Sequence, residues 1–419
     1  MSPSPSLRES VGVSPAPSPS LRESVGVSPT PSPSLRERAG VRVPGVRLGL
    51  GALVLALVLP GCALITPRPA PDPVQLRIGE LLLIGFTGTQ VAGNEEIRRL
   101  VCDVKVGGVL LFERFAASGQ PRNMVSPAQV TELTRDLQAL AVRCAGRPLF
   151  IAADAEGGRV MRLSPRLGYP PTLPARELGD RNDPTFTQAE ARRMGEMLRG
   201  AGINWNLAPV VDVAVNPTNP AVVTLGRAYS SDPERVAAHA RAFVLGMHEA
   251  GVLTSLKHFP GHGSSRSDSH LGFTDVSDTA RLRVELAPFR ALIVAGLADS
   301  VMTAHVFNRG LDPWDPATLS RFTVQRVLRR WLHYDGVAVS DDLLMGAIAQ
   351  HYGLEDAAVL ALGAGVDVLL IARNTDKVDG RAAERVVAAI TRAIAQGTLS
   401  ESRVRQAVAR VDALRAKLK

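Results

Sequence analysis

A chain of 419 residues with 45% hydrophobic content can bury a large core, as one big α/β domain or two smaller ones. Its 48 Lys and Arg against 40 Asp and Glu leave a formal charge of +8, but the surplus is arginine spread along the chain, and aromatic residues make up only 4%. With no basic block and few rings to stack on bases, nucleic acid is excluded as a partner and the arginines are expected on a solvated surface.

The first 62 residues differ from the rest. "PSPSLRESVGVS" occurs twice and "PSPSLRERAGVR" follows as a third copy. Such Pro/Ser repeats cannot bury a core, so residues 1–40 are expected to be disordered, or never translated if the true start lies near Val41 or Val46. In residues 41–62, Arg42 and Arg47 precede the apolar run Leu48–Leu59, and Gly61-Cys62 follow. That order of basic, apolar and small residues is the order of a secretory signal, and the run is short for a membrane-spanning helix. "LPGC" resembles the lipobox of bacterial lipoproteins, with Cys62 as the lipidated residue. The expectation is an exported protein at the periplasm or cell surface, touching the membrane only through that lipid; a leader without function would leave it cytoplasmic. The alternative is an internal anchor behind a disordered tail. Residues 63–74 then form a linker to a folded domain over 75–419.

Within that domain, short apolar runs alternate with helical patterns. The runs are "LLLIGF" (81–86), "GVLLF" (108–112), "LFIAAD" (149–154), "INWNLAPVVD" (203–212), "VLTSLKHF" (252–259), "ADSVMTAH" (298–305), "GVAVSDD" (336–342) and "VDVLLIA" (366–372). Cys102 and Cys144 each precede one of the early runs; neighbouring strands would bring them together as a disulfide, and two buried free thiols are the other reading. Ser126-Pro127 predicts a helix start, with Val130, Leu133, Leu137 and Leu140 on one face. Val404, Ala407, Val411, Leu414 and Leu418 predict an apolar stripe on the last helix.

Eight strands alternating with helices predict a single TIM-type (β/α)8 barrel, with a doubly wound sheet as the rival. The polar residues favour the barrel. Asp154, Asp212, Lys257-His258, His305 and Asp341-Asp342 all stand at the C-terminal ends of runs, which in a barrel converge on one face.

Acidic groups at several strand ends, with no cofactor motif, suit hydrolysis of a polar substrate. Retaining glycoside hydrolysis needs a carboxylate nucleophile and a proton donor on opposite faces of a sugar. Asp341 in "VAVSDDLLMGA" is the expected nucleophile, because it ends a strand, and Asp342 should point elsewhere. The loop "SLKHFPGHGSSRSDSHLGF" (255–273) should supply the proton. Asp268 and His270 lie two apart, so in extended chain they pair on one side, and the carboxylate orients the imidazole. Gly261, Gly263 and the serines are expected to keep the segment mobile. Zinc on His258, His262, Asp268 and His270 is the weaker alternative, because Pro260-Gly261 breaks the helix that would align His258 and His262.

These residues resemble the family 3 glycoside hydrolases, specifically the bacterial β-N-acetylglucosaminidases of peptidoglycan turnover, from about residue 75 to 400. "KHFPGHGSSRSDSH" resembles the signature loop of that family, "SDDLLMGA" its nucleophile segment, "DAEGGRVMRL" its early substrate loop and "VMTAH" a strand-end motif. The resemblance implies Asp341 as nucleophile, His270 as general acid/base and Asp268 as the aspartate that orients it. It implies that Asp154, Arg162, Arg227, Lys257 and His258 hold a terminal N-acetylglucosamine. Ala155 stands where a glutamine is usual, and the chain stops after the barrel, so all catalytic groups are expected to come from the barrel. The implied activity is a monomeric, retaining exo-β-N-acetylglucosaminidase acting on muropeptide fragments, with carbohydrate as substrate and neither metal nor organic cofactor. The alternatives are a family 3 β-glucosidase, a phosphorylase, or a lipoprotein that binds sugar without cleaving it.

Overall fold

The computed structural model describes residues 76–374 and 379–418. The expectations for the repeats at 1–40, for the signal segment at 41–62 with Cys62, and for the linker at 63–74 lie outside the described residues.

Each predicted apolar run contributes one strand: β1 (Leu82–Gly85), β2 (Gly108–Leu110), β3 (Phe150–Ala153), β4 (Trp205–Asn206), β5 (Leu253–Phe259), β6 (Ser300–Thr303), β7 (Val337–Ser340) and β8 (Leu369–Ile371). All pair in parallel with their neighbours in chain order, and β8 returns to β1 with Leu82 opposite Leu369. Val339 of β7 bridges Val368 just ahead of β8, and the Ser340 amide donates to the Val368 carbonyl at 2.9 Å. That contact joins the two ends of the sheet, so the barrel stands and the doubly wound rival, which keeps two open edges, falls. The strands read as unbroken apolar runs ("FIAA", "VAVS") because every residue in them is buried, as expected where helices cover a parallel sheet.

A helix follows each strand. Ser126 accepts from the Gln129 amide with Pro127 at the first helical position, and the helix Pro127–Ala145 buries Val130, Leu133, Leu137 and Leu140 as predicted. The same device starts Pro184–Gly200 after Asp183 and Pro233–Glu249 after Asp232. The last helix, Glu401–Arg415, buries Val404, Ala407, Val411 and Leu414 against the barrel. Cys102 and Cys144 form a disulfide, 42 residues apart in sequence. Among the described residues no helix is long and apolar enough to cross a membrane.

Two expectations need correction. The run 203–212 gives only a two-residue strand, because Pro209 has no N–H to continue the ladder. Side chains complete it instead: the Asn204 amide bonds Ile151 N and Leu149 O, and the Asn206 amide bonds Ala155 N and O. Nor are all the arginines on a solvated surface. Arg122 is 1% and Arg373 2% exposed, and they donate to the carbonyls of Phe86, Ala372 and Gly85, stapling the ends of β1 and β8. At the opposite end of the barrel, Arg329 and Arg403 each reach the fully buried Asp367 at 2.6 Å.

Candidate active site

The C-terminal ends of the strands surround a cavity of about 450 Å³. Asp154, Arg162, Arg227, Lys257, His258, His270 and Asp341, all expected at the site, line it together with Glu156 and Asp342. Apart from Asn374, its remaining lining is apolar, including Phe112, Leu207 and Met302. A larger cavity of about 610 Å³ lies beside the N-terminal ends of β1 to β3, where Arg77, Arg99 and Arg147 are already paired with Glu80 and Glu384.

One wall is a chain of alternating charge. Arg162 reaches Asp154 at 3.2 Å, and Lys257 reaches Asp154 at 3.0 Å and Glu156 at 2.6 Å. Arg227 takes both oxygens of Glu156, from Nε at 2.7 Å and Nη2 at 2.8 Å, and Nη2 also meets His258 Nε2 at 3.2 Å. His258 Nδ1 sits 2.6 Å from Asp212, which also accepts from the backbone of His262 at 2.8 Å. A guanidinium only donates, so Nε2 of His258 accepts and Nδ1–H donates to Asp212, which sets the tautomer. Consecutive residues Lys257 and His258 both face inward because the β5–β6 ladder shifts register between Leu256 and Phe259.

Burial opposes the charge on Asp154, Glu156, Asp212, Arg227 and Lys257, and the partners outweigh it. Lys257 and Arg227 hold Glu156 below the usual carboxylate range, and Lys257 and Arg162 do the same for Asp154. Asp154 and Glu156 in turn hold Lys257 above its ordinary value. Within the chain Asp154, Glu156 and Asp212 balance Arg162, Lys257 and Arg227, so Asp341 and Asp342 are the cavity's carboxylates outside it.

Asp341 follows β7 directly, and its amide donates to the Thr303 carbonyl of β6 at 3.2 Å. One carboxylate oxygen accepts from the Asp342 amide at 2.8 Å. Burial raises its affinity for a proton, but His258, His305 and His270 more than offset that, and Asp341 is held below the usual range. It is ionised, desolvated and borders the cavity. Asp342 borders the cavity too, contrary to the expectation that it points away, while one oxygen takes the amides of Leu344 and Ala372. Burial pushes its carboxyl up to about 6 against those hydrogen bonds. His305 donates from Nε2 to the Asp342 carbonyl and braces this turn.

The pairing of Asp268 with His270 is present, with His270 Nδ1 2.7 Å from the carboxylate, though the extended-chain argument for it is not. The same oxygen accepts the His270 amide, and Leu271 N closes on Asp268 O, so a turn makes the pair. The expected mobility of the glycines is also corrected. Gly261 has φ 129°, and a Cβ on Gly263 would lie 1.8 Å from the Val213 carbonyl, so both are required by close packing. The serines serve His262, which is buried with Ser265 and Ser269 on its two ring nitrogens. Burial lowers His262 to about 4, so it stays neutral inside the loop. The groups weighed for zinc are thus spoken for separately, and among the described residues none form a cluster able to hold a metal ion.

Glu156 was missed as a site residue. The available signal was its place two residues after Asp154 in "DAEGG", on the same side of extended chain.

The chain matches the model of the glycosyl hydrolase family 3 N-terminal domain over residues 73–414. It is 39% identical over 307 residues to a β-hexosaminidase of Alkalilimnicola ehrlichii, covering 71% of this chain and 82% of that one. Among solved structures it resembles a family 3 β-N-acetylglucosaminidase from Paenibacillus sp. (TM-score 0.75, 36% identity), covering 82% of this chain but only 62% of that one. A β-N-acetylhexosaminidase from Beutenbergia cavernae superposes with TM-score 0.73 at 31% identity, over 83% of this chain and 99% of the other. A family match across the whole barrel and relatives at this level of identity show that this chain belongs to glycoside hydrolase family 3 and is a glycosidase.

Proposed function

We propose that this glycosidase is a retaining exo-β-N-acetylglucosaminidase that removes terminal N-acetylglucosamine from muropeptide fragments. The observation that supports it most is the meeting of Asp341 and His270 in one cavity whose other wall is the Asp154–Lys257–Glu156–Arg227 chain. A sugar presents hydroxyls and an acetamide, and charged groups with fixed donors and acceptors bind those strongly and directionally. The apolar wall of Phe112, Leu207 and Met302 suits the sugar's carbon faces and the acetyl methyl.

In the first step Asp341 attacks the anomeric carbon, and His270 Nε2 gives its proton to the departing oxygen while Asp268 steadies Nδ1–H. A glycosyl–Asp341 ester remains. Neutral His270 then takes a proton from water, which hydrolyses the ester with the original anomeric configuration. Deep ionisation of Asp341 keeps it available as nucleophile while the imidazole carries the proton. The protein acts as a monomer with carbohydrate as its partner, exported and tethered through Cys62. The Cys102–Cys144 disulfide supports export, since such bonds persist in oxidising compartments.

The test is digestion of purified muropeptides and of chitobiose, with and without phosphate, with products identified by mass and the first-formed anomer by NMR. Release of β-N-acetylglucosamine from both, with mass added on Asp341 after treatment with a 2-fluoro sugar, is the expected result. Release of the sugar 1-phosphate would make it a phosphorylase, and binding without turnover would make it a lectin.

A further inference from the structure

The proton donor sits on an exposed stretch: the His270 side chain is 57% and Leu271 78% exposed. Such a position needs something to hold it at a fixed distance from the nucleophile. On the upstream side the loop is tied to the barrel by Asn219, which donates to the His262 carbonyl at 2.7 Å, and by Asn216, which donates to the Ser265 carbonyl at 2.8 Å. Those ties end before the dyad.

The downstream side is held by the segment that follows the nucleophile. The amides of Ala347 and Gly346 donate to the carbonyls of Ser269 and His270 at 3.1 and 3.2 Å. Gln350 Nε2 donates to the Leu271 carbonyl at 3.0 Å. Phe273 packs its ring edge-on against His351, 5.8 Å between centroids, and lies 5.3 Å from Phe307. Gly346 has to be glycine for this fit, since a Cβ there would come within 2.8 Å of the Leu271 carbonyl carbon and 2.9 Å of the His270 oxygen. The same segment begins at Asp342, whose amide holds the Asp341 carboxylate and whose carbonyl receives the Met345 amide.

We infer that the turn from Asp342 to Gln350 sets the spacing between nucleophile and proton donor, with Gln350 as a positioning residue that latches the His270 loop. The inference rests on His270 being the general acid/base. Gln350 touches no substrate atom; it acts through the Leu271 carbonyl on the ring one residue away. Losing that hydrogen bond lets His270 drift from the leaving oxygen without disturbing Asp341 or the ion-paired wall.

Leaving-group dependence separates such a role from a merely structural one. A dinitrophenolate departs without a proton, whereas a sugar alkoxide needs one. Kinetics of Gln350→Ala and Gln350→Glu are therefore compared with wild type on 2,4-dinitrophenyl N-acetylglucosaminide and on chitobiose, with His270→Ala as reference. Gln350→Glu keeps the length of the side chain and removes the donor. We expect both Gln350 variants to lose about tenfold in kcat on chitobiose, the scale of one lost hydrogen bond, and less than about twofold on the dinitrophenyl substrate, with the thermal midpoint unchanged. Gly346→Ala should show the same signature more strongly. Equal losses on both substrates, or no loss on either, overturns the latch. If His270→Ala itself shows no leaving-group dependence, the acid/base reading falls and the latch with it; if only the Gln350 variants lack it, the latch alone falls.

Discussion

The two walls of the cavity are built by opposite means. The wall proposed to hold the sugar comes from strand ends and buried chain: Lys257, Glu156 and Arg227 are all under 10% exposed and locked in mutual ion pairs. The wall proposed to donate the proton hangs on a loop, with His270 mostly exposed and fixed by one carboxylate and a few backbone contacts. The geometry of the buried wall is thus preorganised at the cost of burying charge, while His270 stays open to solvent, the source of the water that the proposed second step consumes. The difference is legible as two kinds of sensitivity. Damage to the rigid wall should cost stability and affinity together, and damage to the exposed His270 should cost turnover alone.

The largest effect is expected from Asp341→Asn, which removes the proposed nucleophile. Turnover of a nitrophenyl N-acetylglucosaminide should fall on the order of 10⁴-fold or more, with the fold intact by circular dichroism. Next comes His270→Ala, which should cost roughly 10²–10⁴-fold in kcat on a sugar leaving group and leave the denaturation midpoint where it was. An unfolding shift in that variant would contradict the separation of the two walls. Glu156→Gln attacks the other side. It leaves Arg227 and Lys257 short of a buried partner, a change that costs about 3–5 kcal/mol, so denaturant unfolding should show the loss and KM should rise with it. A Glu156→Gln protein of wild-type stability would mean that the chain of charge contributes little to holding the barrel mouth.

How much of this was readable beforehand follows the same division. The barrel and most of the rigid wall were legible because parallel strands buried on both faces leave unbroken apolar runs, and each polar residue at the end of a run marks the open face. Asp154, Lys257, His258 and Asp341 emerge from that rule. Glu156 does not, since its partner Arg227 lies 71 residues away and no local pattern joins them. The dyad was found through an incorrect geometry: two residues apart suggested extended chain, where the structure uses a turn closed on the Asp268 side chain. The glycines of the loop suggested mobility, but what they allow is close approach to Val213 and Glu285, a contact that only the tertiary fold reveals. The Gly346–Gln350 contacts to the loop span about the same sequence distance as Glu156 to Arg227 and left no trace either.

The smallest effect concerns pH and acts within the loop and its support. His262 is lowered by burial to about 4, so between that value and its ordinary 6.5 the unfolded chain binds the extra proton. Its contribution to stability is therefore present above about 6.5 and is lost as the pH falls towards 4, by roughly 3 kcal/mol in full. Asp342 has the opposite sign. Burial raises it to about 6 from an ordinary 3.8, so in that window the folded protein binds the extra proton, and stability falls as the pH rises through it. In wild type the two slopes overlap and partly cancel. Substituting either group with a residue that does not titrate should expose the other: His262→Asn should give a protein whose unfolding free energy declines from pH 4 to pH 6, and Asp342→Asn one whose free energy climbs over the same range. Denaturant titrations at half-unit pH steps measure both slopes. Parallel slopes in the two variants would show that His262 and Asp342 do not carry the pH response, which would then have to come from other groups shifted by burial, His305 and His239 downwards and Glu285 upwards.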